Sequence, residues 1–420
     1  MQGARTTAIR PHLRWRLNLI KTWPYLLLAV IGMAPAAVAL AAEGTARPLS
    51  QAEKAAANPA KVPGQDPAGT IAAYQAKLKS MPRFDNPLMF STPEADAVLK
   101  HVQVFPANSP FNEDISKRPV APNSDAMIAG MKDRKNLAWN SDMTYILVPA
   151  GQKLVDVKLT AYADESDPGP YPVPDNAPIE DWNPAGNEPL AVKQAKVEGG
   201  DRHLIVLDPF RGLLFEFYQG RRTPQGWQAA CEATFDIRTN ALRPAGWTSS
   251  DAAGLPVFPL IVRYADVASG EIPHAIRFTV HHTRAAYVYP ATHKASSKTD
   301  QNLPRMGERF RLKANVDISS LSPHAQAICK GLKKYGMINA DNGGDWRISV
   351  APDPRIKGLE DLGRIKATDF EVIVPTGPNS LTRLAAKGSR SIGRCHRRRH
   401  SMRRHSIDTG AGYSDNQTVR

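Results

Sequence analysis

Residues 201–218 read DRHLIVLDPFRGLLFEFY. In this stretch two apolar runs, Leu204–Leu207 and Leu213–Tyr218, flank a five-residue connection that contains Pro209 and Gly212. Runs of aliphatic and aromatic residues are typical of strands, and proline and glycine are favoured in the turns that join them. The stretch therefore predicts an antiparallel β-hairpin within a fold in which strands dominate.

Strand patterns recur on both sides of this hairpin. Apolar and polar residues alternate in 154–162 and again in 276–281, and 370–374 is predicted to be a last strand because Pro375 follows it. Proline is abundant, at 35 of 420 residues, and segment 167–174 (DPGPYPVP) must be extended or turning. These features predict a mainly β protein, with a β-sandwich or jelly-roll-like body, long Pro/Gly-rich loops and a few added helices.

One clear helix interrupts the strands. Ser322 and Pro323 have the residue types favoured at an N-cap and at the first helical position, and Gly336 can end the helix. Apolar residues recur between them at helical spacing. Shorter helices are predicted around 71–81 and 93–104.

Composition divides the chain into four segments. Residues 1–42 have a basic start and an apolar stretch from Tyr25 to Leu40, which predicts a cleaved export signal; the alternative is an uncleaved membrane anchor. Residues 43–83 are predicted to be a low-complexity linker with a short helix, 84–375 a β-rich globular body, and 376–420 a disordered basic tail. The alternative for the tail is an arm that binds an anionic polymer. We expect no membrane span once the signal is cleaved.

The positive charge of the chain lies at its two ends. Of the formal net charge of +14, +5 falls on residues 1–42 and +8 on 376–420, which leaves +1 for 43–375. A nucleic-acid surface needs basic residues clustered on the folded body, so no nucleic-acid partner is predicted.

The cysteines leave two alternatives open for the body. A disulfide between Cys231 and Cys329 would close a loop of about 100 residues and contribute roughly 4–5 kcal/mol in the chain-entropy model. Two separate buried thiols are the other alternative. No pair of cysteines has the spacing of a zinc site.

Segment 240–346 concentrates polar, titratable and aromatic residues, and four of the chain's eleven histidines lie between His274 and His293. Burying such groups is costly unless they are paired or functional, so we expect a site here. Arg277 and His281 share one face of a predicted strand, where they could bind an anion and exchange a proton. The alternative is the solvated face of an antiparallel sheet.

Two further patterns bear on the chemistry. Asp201 and His203 share a strand face, so the carboxylate could orient the imidazole; the alternative is a polar strand end. His281 and His282 are adjacent and point to opposite faces of a strand, which argues against joint ligation, so no metal and no cofactor is predicted. The chain contains no Gly-x-Ser-x-Gly, phosphate-binding glycine loop or His-Glu-x-x-His motif.

Several stretches are similar to a family of secreted bacterial proteins that has no established activity. The most specific are 201–208 (DRHLIVLD), 240–259 (NALRPAGWTSSDAAGLPVFP), 270–280 (GEIPHAIRFTV) and 335–346 (YGMINADNGGDW). The resemblance covers most of 105–374 and implies an exported, periplasmic or extracellular protein. It implies no catalytic residues, and the tail departs from the family pattern, which ends near 368–373.

Our leading hypothesis is an exported protein that binds or cleaves a polysaccharide at a site in 240–346. The candidate catalytic residues are His203, His274, His293 and Asp251. The candidate substrate-binding residues are Arg277, Trp247 and Tyr289. The alternative is a non-catalytic envelope or carbohydrate-binding protein. Three or more titratable side chains meeting in one pocket would favour the enzyme, and their dispersal would favour the alternative.

Overall fold

A computed structural model describes residues 67–133, 135–197, 200–375 and 383–384. The predicted export signal, residues 43–66 of the predicted linker and all of the predicted tail except 383–384 lie outside these ranges. The helices are α1 (Pro67–Leu78), α2 (Pro93–Leu99), α3 (Ser124–Gly130), α4 (Leu190–Ala195), α5 (Tyr264–Ala268) and α6 (Pro323–Lys334). The strands are β1 (Leu88–Met89), β2 (Ala138–Ser141), β3 (Ile146–Leu147), β4 (Val157–Leu159), β5 (Leu204–Asp208), β6 (Leu213–Tyr218), β7 (Arg221–Thr223), β8 (Gly226–Ala229), β9 (Cys231–Asp236), β10 (Ile276–Val280), β11 (Ala286–Tyr287), β12 (Arg309–Leu312), β13 (Met337–Asn342), β14 (Arg347–Val350), β15 (Phe370–Val372) and β16 (Arg383–Leu384).

The predicted hairpin forms the centre of a five-stranded sheet with the order β1-β3-β5-β6-β9. Strands β5 and β6 pair antiparallel over their whole length. At the turn, the Asp208 carboxylate accepts hydrogen bonds from the backbone N–H groups of Phe210 and Arg211. Gly212 has a φ of +67°, a conformation that glycine adopts without strain. The hairpin prediction is confirmed, and the turn residues explain its register.

A six-stranded sheet has the order β15-β12-β13-β10-β14-β2, and a three-stranded sheet has the order β4-β8-β7. In the six-stranded sheet β10 and β13 run parallel, as do β14 and β2. In the five-stranded sheet β3 and β5 are also parallel. The fold is therefore strand-rich with few helices, as predicted, and its two large sheets are open and mixed.

Apolar side chains bury both faces of the hairpin. Ile205 and Leu207 belong to one hydrophobic cluster, and Leu204 and Val206 belong to another on the opposite face. Successive residues of a strand point to opposite faces, so burial on both sides requires the continuous apolar run that the sequence shows. The first cluster also contains Ile338 of β13, so it includes side chains of both large sheets.

Two strands differ from the alternating patterns in the sequence. The pattern in 154–162 yields only β4, and Val155 forms an isolated bridge with Tyr171. On β10, Arg277 is buried rather than solvated, because β13 and β14 cover both edges of the strand and a buried carboxylate pairs with the guanidinium. The alternative of a solvated face is therefore wrong for Arg277.

The clear helix is confirmed as α6, and Ser322 occupies its N-cap position, although the Ser322 side chain makes no capping hydrogen bond. The Ser322 hydroxyl donates instead to the backbone oxygen of Gly358 at 2.7 Å. Cys329 on this helix and Cys231 on β9 are both buried free thiols, so the alternative of two separate thiols is the observed one. Burial raises the pKa of Cys231 to about 11 and that of Cys329 to about 12. Within the described ranges, none of the helices has the length and apolar character needed to cross a bilayer.

Candidate functional site

A pocket of about 200 Å³ lies where several strands begin or end. Asp201 precedes β5, Tyr218 ends β6 and Cys231 begins β9, while Asp341 and Asn342 end β13. The other lining residues come from loops and are Tyr162, Thr248, Ser249, Ser250, Ala252, His293 and Ala295. The pocket thus draws its walls from both large sheets and from the predicted block 240–346.

Two carboxyl groups face this pocket. Asp201 is exposed, whereas the side chain of Asp341 is only 19% exposed. Burial, together with the negative charge of Asp251, raises the pKa of Asp341 to about 7. The pocket therefore contains a carboxyl that holds its proton at higher pH than an ordinary aspartate does, which is the property that a general acid requires.

The guanidinium of Arg277 is the cation nearest to Asp341, but it forms a bidentate ion pair with a different acid, Asp251. Arg277 donates to both carboxylate oxygens of Asp251, at 2.7 and 2.5 Å, and to the hydroxyl of Ser349 at 2.7 Å. Its distance to Asp341 is 3.9 Å. The Arg277 guanidinium lowers the pKa of Asp341, but burial and the Asp251 carboxylate raise it by more, so this pKa stays high.

A buried imidazolium lies behind Ser250, one of the lining residues. His203 Nδ1 is 3.0 Å from the Glu180 carboxylate, and Nε2 is 2.9 Å from the backbone oxygen of Ser250. Both neighbours are acceptors, so both ring nitrogens must carry hydrogens and the ring is positively charged. Burial disfavours this charge, but the Glu180 carboxylate outweighs it and raises the pKa of His203 to about 10. Burial and His203 likewise oppose each other at Glu180, and the imidazolium lowers its pKa to about 2.

Two further acids, Glu216 and Asp142, lie near the same pocket. Glu216 is fully buried and accepts hydrogen bonds from the backbone N–H groups of Val257 and Phe258 and from the Ser250 hydroxyl. Burial raises its pKa to about 7 despite these donors. Burial, with the nearby Glu180 charge, also raises the pKa of Asp142 to about 7, and its Oδ1 atom has no hydrogen-bond partner. Near the pocket, buried carboxyl groups therefore outnumber the two buried cations, and three of them hold protons close to neutral pH.

Strained backbone surrounds the pocket. Tyr162, Arg202 and Gln219 have φ angles of 45°, 54° and 55°, a region that costs free energy for residues other than glycine. The Gln219 N–H donates to the backbone oxygen of Asp201 at 2.9 Å and holds two of these segments together. Tyr162 is 51% exposed. Such conformations concentrate at functional sites, so their grouping here favours this pocket as the site.

The structure brings together some of the predicted site residues and separates others. His293 lines the pocket, and its Nδ1 donates to the Ala252 backbone oxygen at 2.7 Å. His203, Asp251 and Arg277 do not line the pocket, and their side chains are buried next to it. His274 lies elsewhere, with Arg263, Asp266 and the Ala275 backbone oxygen. Trp247 borders a separate cavity, where the Arg243 guanidinium stacks on its ring, and Tyr289 is buried outside the pocket.

Of the lining residues, His293 alone was among the predicted catalytic and substrate-binding residues, and Tyr162, Tyr218 and Asp341 were not among them. Tyr162 and Tyr218 occupy positions that a strand pattern explains without a site. Asp341 ends the apolar strand MINAD just before the turn residues NGG, and an acid at such a strand end was a usable signal. Its importance depends on the buried charges around it, which come from residues distant in the sequence.

In the part of the chain that the structure covers, no three His, Cys, Asp or Glu side chains are grouped so that they could hold a metal ion. Comparisons of the chain with family models, with curated proteins and with solved structures find no match. The family resemblance of the sequence therefore stays a prediction, and the function rests on the site itself.

Proposed function

We propose that the pocket holds one sugar unit of a polysaccharide and that Asp341 acts as the acid in cleaving a glycosidic bond. The observation that carries this proposal is the pair of carboxyl groups facing one small pocket, of which Asp341 has a pKa of about 7. Glycoside hydrolysis uses a pair of carboxyl groups, one of which donates a proton to the glycosidic oxygen. The volume of about 200 Å³ is below the roughly 300 Å³ of drug-sized sites, which favours a single small unit.

The residues have distinct roles in this proposal. Asp341 donates its proton to the glycosidic oxygen as the bond to the anomeric carbon breaks. The Asp201 carboxylate takes a proton from the water that attacks this carbon, so the net reaction adds one water across the bond. Tyr162 and Tyr218 offer flat rings and hydroxyl groups to the sugar. In a neutral His293 ring, the hydrogen lies on Nδ1 and Nε2 can accept a hydrogen bond from a sugar hydroxyl.

A polysaccharide panel, measured for both binding and release of reducing ends, tests the proposal. Asp341→Asn removes the proton donor with little change of shape, so we expect turnover to fall by about 10²–10⁴-fold while binding persists. Asp85→Asn changes an exposed acid outside the pocket and is the matched control. Unchanged turnover in Asp341→Asn, or no cleavage of any polymer by the unmodified protein, would contradict the enzyme proposal.

A non-catalytic carbohydrate-binding or envelope protein is the second candidate. It is favoured by the commitment of His203 and Asp251 to buried ion pairs and by the separate location of His274. The meeting of Asp201, His293 and Asp341 in one pocket favours the enzyme. Binding of a polymer without product release would support the second candidate.

Two wider features, export and a β-sandwich architecture, belong to the proposal as well. Export is supported by the signal-like sequence of residues 1–42 and by the resemblance to secreted bacterial proteins. A β-sandwich is supported by the hydrophobic cluster that holds Ile205 of one large sheet and Ile338 of the other. N-terminal sequencing of the protein recovered from its cells and medium would test export and signal cleavage together.

A further inference from the structure

A second cavity, of about 700 Å³, lies between α3 and the segment around Phe370. Its apolar wall comes from Ile128 and Met131 at one end and from Ala367 and Phe370 at the other. Ile128, Met131 and Ala367 are 6–8% exposed, and Phe370 is fully buried behind them. Methionine adapts its shape to different apolar partners, so this wall suits a flexible hydrocarbon better than a rigid polar ring.

Lysines surround this apolar wall. Lys132, Lys135, Lys313 and Lys366 line the cavity, and Asp125 is the one acid that lines it, so the lining carries a net charge of +3. None of these four lysines forms an ion pair with a described residue. The ammonium group of Lys313 donates to the Thr368 backbone oxygen at 2.8 Å, which leaves its charge unneutralised. Lysine stems extend along apolar surface while their charged ends stay in water.

We propose that this cavity binds a single-chain anionic amphiphile, with the alkyl chain against the apolar wall and a carboxylate among the lysines. The charge complementarity excludes a cationic head group, and the apolar wall gives an alkyl chain an advantage over a free inorganic anion. The inference is independent of the polysaccharide pocket, because the two cavities have no lining residue in common.

Calorimetric titration of the full chain with dodecanoate, below the concentration at which it forms micelles, tests the proposal. Each buried methylene contributes roughly 0.8 kcal/mol, so decanoate should bind about tenfold more weakly than dodecanoate. Lys132→Ala and Lys366→Ala should each weaken dodecanoate binding by up to about fivefold. Lys357→Ala, at an exposed site outside the cavity, is the matched control and should bind as the unmodified protein does.

A steric variant makes the test independent of charge. Ala129 is an exposed lining residue, so Ala129→Trp should place a bulky ring in the cavity and weaken dodecanoate binding while the midpoint of urea unfolding stays unchanged. Equal binding of inorganic phosphate and dodecanoate would overturn the proposal, because the alkyl chain would then contribute nothing. Equal binding of a neutral amphiphile such as octyl glucoside, or dodecanoate binding that is unchanged in Ala129→Trp, would overturn it as well.

Discussion

The buried acid Glu216 makes a sharp prediction about how stability depends on pH. Its carboxyl group is fully buried, and burial raises its pKa from 4.5 to about 7. In Glu216→Gln the amide oxygen can still accept from the backbone N–H groups of Val257 and Phe258, and the amide nitrogen can donate to the Ser250 hydroxyl. The substitution therefore removes the titration and keeps these bonds, but the amide nitrogen cannot accept the 2.8 Å bond that the Val257 N–H donates to Oε2 in the unmodified protein.

The magnitude follows from proton linkage. Below pH 4.5 the group is protonated in both the folded and the unfolded chain, and above pH 7 it is ionised in both. Between these values only the folded chain keeps the proton. The protonated Glu216 therefore contributes its full stabilisation below pH 4.5, and this stabilisation is lost as the pH rises to about 7. A shift of this size corresponds to about 3 kcal/mol. As the pH rises from 4.5 to 8, the free energy of unfolding of Glu216→Gln should thus increase by about 3 kcal/mol relative to that of the unmodified protein.

Urea unfolding of both proteins at pH 4.5 and pH 8 measures this difference, because the other titrating groups are common to both and cancel. Glu360→Gln, at an exposed position, is the control and should show no pH-dependent difference. If the free-energy difference between Glu216→Gln and the unmodified protein is the same at both pH values, burial does not hold the proton on Glu216 and the reasoning fails.

Three other predictions concern buried pairs and thiols. Asp251→Asn removes the bidentate partner of Arg277 and leaves only Asp341, at 3.9 Å, as a nearby counter-charge, so the free energy of unfolding should fall by about 3–5 kcal/mol in urea titrations. Glu180→Gln should lower the pKa of His203 from its value of about 10, and NMR titration of the imidazole would detect this; an unchanged pKa would exclude the ion pair as its cause. Cys231 and Cys329 should resist a thiol reagent in the native protein and react in urea without prior reduction, whereas a requirement for reductant would indicate a disulfide.

The sequence predicted the local elements better than the site. The hairpin and α6 follow from apolar runs, turn residues and helix-end residues that act over a few positions, so they could be recognised directly. The short extent of β4 depends on its parallel pairing with β8, which no local pattern reveals. Alternation left both a functional face and a solvated face open for Arg277, and its burial against Asp251, 26 positions away, could not be recognised from that pattern.

The candidate pocket takes only part of its lining from the predicted segment 240–346. His203 was a candidate because an acid lies two residues away, yet its partner is Glu180, 23 positions upstream. The pKa of Asp341 depends on Asp251 and on the burial that the assembled sheets produce. Charge effects of this kind act through space between distant strands, so a single sequence indicates which residue types are present but not which of them meet.

The buried acids around Arg277 and His203 link the stability of the protein to its proposed chemistry. If Arg277 were free, its guanidinium would lower the pKa of Asp341 and leave the pocket with two ionised carboxylates and no acid. Asp251 prevents this by binding the guanidinium in a bidentate pair. The same burial that keeps a proton on Asp341 also keeps one on Glu216, so stability should decline as the pH rises through the range in which the proposed acid loses its proton. Deprotonation of Asp341 and the decline in stability are thus two consequences of the same buried cluster of acids. A variant that stabilises this cluster at high pH need not restore turnover at high pH.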